Sequence, residues 1–458
     1  MMVKRRFDVL VLAVCSFSFM GCGSPQSVSV STPESSVIQT STQTSTATIV
    51  VLATVMTAPD LAIKRLNYDA AKNTLALQSG AWSLPEVSAQ ASSRAPNALR
   101  EMAKGEWLLT ANLAISKGAS LRIAGPQVAW LKLGSGAAGF IWLKALGGDL
   151  NIQATKITSW DTEGNALDEN TEDGRSFVLA RNGSHMSILN SEMSYLGYFA
   201  AESYGVAWRN VGTTGQAINS KFGYNFYGLY AHEASGLIIR GNEVHHSVRY
   251  GIDPHTRSNK LLIENNVSHH NGKQGIILAE ECSDSVVRNN TVYSNTLHGI
   301  VIYQHSNNNL VEGNVSYGNN WQGINVNDSV GNIVRNNTVY GNGKSGLGIG
   351  ENVQLTQIVS NTLRENAEHG IYFYSASTAN TVTNNIISNN ALNGIYIKSA
   401  GNLIGTGNDI FGNRVGVLQR VSNPQDLSTT QSRIHDNTEA DTQLGKPDDS
   451  GQAATEAP

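Results

Sequence analysis

The 458-residue chain has three cysteines, Cys15, Cys22 and Cys282. So few exclude a disulfide framework and a cysteine-based metal site. Charge is also scarce: Asp, Glu, Lys and Arg make up 15% of residues, with a net charge of −4. That balance offers no whole-molecule attraction to nucleic acid, and no nucleic-acid partner is expected. Long apolar runs are lacking too. The run FDVLVLAVCSFSFMGC (7–22) is too short for a comfortable membrane span. No clustering of ligating side chains points to a metal or a cofactor, and none is expected.

The N-terminus reads as a targeting segment. Lys4, Arg5 and Arg6 precede the apolar run, which closes on Phe19-Met20-Gly21-Cys22. This resembles a bacterial lipoprotein signal, with Cys22 as the acylated first residue after cleavage. Ser24 beyond it resembles outer-membrane sorting, on the periplasmic or cell-surface side. The alternative is an ordinary secretion signal with an incidental cysteine. Residues 23–47 are Ser/Thr-rich and read as a disordered tether. Residues 48–170 read as a less regular N-terminal cap and entry coils, with a short amphipathic helix within 83–105 and alternating strands at 106–125 and 147–160. From about 421 to 458 periodicity is lost, and a polar tail is expected.

What is abundant is repetition. A Gly followed by an apolar–x–apolar strand recurs from Gly205 to Gly416, at steps of 22 to 24 residues. Asn242, Asn266, Asn290, Asn314, Asn337, Asn361, Asn385 and Asn408 keep the same step. Short β-runs at this period, without a helical pattern, predict an all-β fold. We expect a single-stranded, right-handed parallel β-helix of at least eight coils over 171–420. Leucine-rich repeats share the period but need a different pattern. Stacked Asn side chains at a bend would satisfy buried turn backbone, so the Asn column is structural.

One repeat is anomalous. Proline cannot donate to a strand ladder, yet VRYGIDPHTRSN (248–259) carries Pro254 inside its strand. Strand side chains alternate, so Ile252 and Pro254 should face inward. Asp253 and His255 should face out. Tyr250 precedes the repeat Gly. His298 takes that same position two coils later, roughly 10 Å along the axis. A Tyr, an Asp and two His on a long groove suit proton transfer on a linear polymer. In a polyuronate the C5 hydrogen is acidified by the adjacent carboxylate. A base on one face and an acid on the other would invert C5, or eliminate the 4-O substituent.

YGIDPHTRS closely resembles the Tyr-Gly-φ-Asp-Pro-His motif of the mannuronan C5-epimerases. Its Arg-Ser tail, and TKITSWDT at 155–162, resemble the periplasmic, calcium-independent branch involved in alginate export. The resemblance covers about residues 100–420. It implies catalytic roles for Tyr250, Asp253, His255 and His298, an anionic polysaccharide substrate, and export machinery as a partner. The acidic residue usual after Asp-Pro-His is here Thr256. Candidates for contacting the substrate, including its carboxylate, are Arg249, Lys273, Arg257 and the outward Tyr303. Asp253 is expected to tune a neighbour such as His255 rather than bind the substrate's acid group. The competing readings are a polysaccharide lyase on the same groove and a non-catalytic carbohydrate-binding scaffold.

Overall fold

Each repeat folds into three short strands separated by tight corners, and each strand stacks in register on its counterpart one coil away. In this computed structural model, which describes residues 63–447, the coil around the motif runs Ile252–His255, Leu262–Glu264 and Val267–His269. All three pair in parallel with the next coil, and the coils from Phe177 to Phe411 repeat the pattern. The signal segment ending at Cys22, the tether at 23–47 and the end of the polar tail lie outside the described residues.

Alternation explains the core. Ile252, Ile276, Ile300 and Ile324 form one fully buried inward column. Pro254 pairs with Ala231 in the next inward column, as expected. The repeat glycine is there for want of space. A Cβ on Gly251 would meet Ser268 Oγ at 2.3 Å and the Gly275 carbonyl oxygen at 2.5 Å.

The corners are built by asparagine. Asn266 Nδ2 donates to Asn290 Oδ1 (2.9 Å) and to the Ile239 carbonyl (2.9 Å). Asn290 then repeats this toward Asn314. The residue just before is left-handed, as at Asn265 (φ +56°) and Asn289 (φ +54°), a conformation Asn tolerates. A second ladder, unforeseen in the sequence, runs from Asn271 through Asn295 and Asn319 to Asn342 at the corner after the third face.

The ends differ from expectation. The predicted helix is present at Leu84–Ala91, with Glu86 accepting from the Ser83 backbone at 2.8 Å. Its Leu84, Val87 and Ala91 are buried. The 48–170 region is not a cap alone, because the expected entry coils stack there. Lys156–Asp161 pairs in parallel with Trp130–Ser135 on one side and with Glu192–Ser194 on the other. Nor is 421–447 an unstructured tail. Arg433–His435 stacks on Asp409–Phe411, and Ala440–Leu444 on Val415–Gln419. There the loop is longer and Asp441 falls opposite Gly416, so the glycine signature vanishes while the coil continues. Asn437 still extends the second ladder from Asn413 (3.1 Å).

Candidate active site

The site lies on the outer side of the face that carries Ile252–His255. Tyr250 stacks on Tyr227, with ring centroids 5.3 Å apart, and Tyr227 stacks on Tyr230. These rings join Phe226, Ile277 and Val301 in a hydrophobic cluster separate from the interior core. Aromatic cover of this kind excludes water, and the polar groups beneath it feel that.

Asp253 feels it most. It points away from the interior, opposite Tyr230 in register, but it is only 1% exposed. The expected groove-facing carboxylate is instead beneath the groove floor. Neither of its oxygens has a hydrogen-bond partner. Burial, reinforced by the Glu280 charge, pushes its pKa well above the ordinary carboxylate value. Burial thus favours the neutral acid, and the side chain does not reach the groove surface. Ladder pairing with the next coil registers at Ile252–Ile276 and His255–Ala279 but not between them.

His255 is half-buried at the strand's outer end. Its Nδ1 lies 2.7 Å from Thr256 Oγ1, and Thr256 Oγ1 donates to Glu280 Oε2 at 2.7 Å. Burial lowers the imidazole's pKa, the Glu280 carboxylate opposes that, and Arg209 reinforces it. An imidazole so placed is neutral and able to accept a proton at neutral pH.

Tyr250, Gln274 and His298 form one column, as the Gly251→Gln274 and Gly275→His298 backbone bonds require. Burial pushes the Tyr250 hydroxyl up to about 12. Lys273 Nζ donates to that hydroxyl at 3.3 Å. His298 is 6% exposed, and burial holds its pKa down to about 3. Its Nδ1 has no partner, nor has either amide atom of Gln274. His369, further along the same column, is the contrast. Its Nδ1 is engaged by Asn393 at 3.0 Å. Orphaned buried polar groups are rare, and several of them sit together here.

Of the other expected side chains, Lys273 is at the site and Tyr303 stands two coils beyond His255 in its column. Arg249 lies over the Phe199 ring, 4.7 Å from its centroid. Arg257 is not brought in: the corner turns it outward onto Glu233. Arg209 was missed. It stands two coils before His255 in register, over the Tyr230 ring at 5.6 Å. It makes no ion pair among the described residues. Its position, two steps of 23 residues upstream of His255, was the available signal. A hollow lined by Pro126, Lys156, Glu192 and Lys221 lies on another face and carries no acid–base pair of this kind.

A coiled parallel sheet with acid–base side chains on one outer face is the architecture, and the chain belongs to the right-handed β-helix family. The profile of the right handed beta helix region matches residues 150–316, 204–363, 277–410 and 322–446. Among curated proteins it is similar to the mannuronan C5-epimerase of Pseudomonas fluorescens, with 34% identity over 145 residues, 29% of this chain and 27% of that one. It is also similar to the mannuronan C5-epimerase AlgG of Azotobacter vinelandii, with 29% identity over 196 residues, 40% of this chain and 37% of that one. The matches therefore span well under half of these relatives. Its fold matches the crystal structure of the periplasmic alginate epimerase AlgG with a TM-score of 0.62 at 21% identity, covering 81% of this chain and 85% of that one.

Proposed function

We propose that the protein is an isomerase that inverts C5 of β-D-mannuronate residues in an alginate-like polymer, giving α-L-guluronate. The observation that carries this reading is the water-poor Tyr250–Asp253–His255 strand with His298 two coils on. His255 is the half-exposed, neutral imidazole, and it acts as the base on the C5 hydrogen. The C5–H electron pair is left delocalised into the carboxylate. Arg209 and Lys273 are the cations placed to balance that charge. Tyr250, protonated below about 12, returns a proton from the other side, and Lys273 at its hydroxyl eases the loss. His298, neutral and unpartnered, stands two coils further along the same column, beyond Gln274, where it faces the bound polymer rather than Tyr250 itself. Asp253 keeps the floor uncharged.

The mannuronan C5-epimerase relatives and the resemblance of YGIDPHTRS to their motif support this substrate class. A periplasmic or cell-surface site, a lipid anchor through Cys22 and alginate-export machinery as partner belong to the same proposal. They rest on the signal-like N-terminus and the periplasmic character of AlgG. The test is polymannuronate incubated with the enzyme in deuterated water. Deuterium at C5 without new unsaturation is expected. An unsaturated uronate absorbance would mean a lyase, and binding without either change a scaffold.

A further inference from the structure

Thr256 stands where the resemblance leads one to expect an acid. It is β-branched, yet its φ is +34°, in the left-handed region such side chains avoid. The same corner on neighbouring coils is taken by Glu233, Glu280 and Gln304, unbranched at Cβ and likewise left-handed. Strain that persists at one corner beside a reactive group is a pointer to function.

The hydrogen-bond arithmetic says which function. A hydroxyl has one hydrogen to donate, and a carboxylate can only accept. Thr256 Oγ1 lies 2.7 Å from Glu280 Oε2 and 2.7 Å from His255 Nδ1. The hydroxyl hydrogen goes to the carboxylate. Thr256 Oγ1 must then accept from the ring, so Nδ1 carries the hydrogen. We infer that Thr256 and Glu280 are a positioning pair that holds His255 as its Nδ1–H tautomer and leaves the Nε2 lone pair as the base. This rests on His255 being the base of the proposed reaction. When the C5–H bond breaks, its electron pair stays on the substrate and its proton joins Nε2. The resulting imidazolium is then steadied through the Thr256 hydroxyl by Glu280, the acid that the motif lacks in sequence but regains from the next coil. The other groups facing His255 are Arg209, Tyr230, His232 and Tyr303. Of these, Arg209 opposes a positive ring.

The test uses full-length protein with ¹⁵N-labelled histidine. Wild type should show a protonated Nδ1 and an unprotonated Nε2 on His255. Thr256→Val should mix the tautomers and lower kcat about tenfold or more, with KM little changed. Thr256→Ser should restore both. Glu280→Gln removes the charge that favours the protonated ring, so the acid limb of kcat/KM should move to lower pH. An Nε2–H tautomer in wild type, or an unchanged tautomer and pH profile in these variants, overturns the proposal. If even wild type fails to exchange C5 hydrogen, the base assignment falls, while the nitrogen shifts still decide what the pair does.

Discussion

Asp253 is a carboxylic acid with nowhere to put a charge. Its folded pKa lies above its unfolded value of about 3.8. Between those two values the unfolded chain ionises it and the fold does not. Its contribution to stability is therefore complete at acid pH and is lost as pH rises toward the folded pKa. Asp253→Asn keeps the shape without the titration. The variant should gain over wild type from pH 4 to pH 8, by at least about 1 kcal/mol, the worth of one pKa unit. C5 exchange should be largely kept in the same variant, because asparagine also leaves the floor uncharged. Paired melting curves at the two pH values check the first half, and a stability difference that does not change with pH would reject it. That Asp-Pro-His marks the site is readable in the sequence. That the Asp253 pKa is raised is not, because the shift comes from burial beneath the cluster that includes the rings of Tyr227, Tyr230 and Tyr250.

At the level of elements, the asparagine ladders bind coil to coil. Asn314 accepts from the Asn290 backbone (2.9 Å) and side chain (3.0 Å), and it donates to the Val287 carbonyl (2.9 Å) and to Asn337 (3.0 Å). Asn314→Ala leaves those buried groups unpartnered and should cost about 3 kcal/mol, read as a lower melting temperature with activity per folded molecule retained. A neutral substitution would mean that the ladder decorates the corner rather than builds it. The first Asn column was legible because its step is regular. The second was equally regular but hidden among other asparagines of an Asn-rich repeat. The final coil was missed for the opposite reason. A longer loop and Asp441 erase the glycine cue, although Asn437 keeps the 24-residue step from Asn413.

For the whole molecule, a net charge of −4 gives no general attraction to a polyanion. Attraction must be local, from Arg209, Lys273 and Arg249. Location would raise the effective supply of polymer, and the proposed anchor is the means. Cys22→Ser should move the protein from the membrane fraction to the soluble fraction and abolish lipid labelling; unchanged fractionation would remove the anchor. The sequence by itself determined the coil, its period, the inward Ile and Pro254 columns and the Tyr250–His298 register. These follow from strand alternation and from stacking at a constant step. The tertiary structure alone decided the rest. Burial sets the charge of Asp253, His255 and His298, and burial is a property of what covers a residue, not of its neighbours in sequence. The corner geometry turned Arg257 away. Stacking brought Arg209 and Glu280 to His255 across gaps of 46 and 25 residues, because contacts between coils pair side chains that the chain itself keeps far apart.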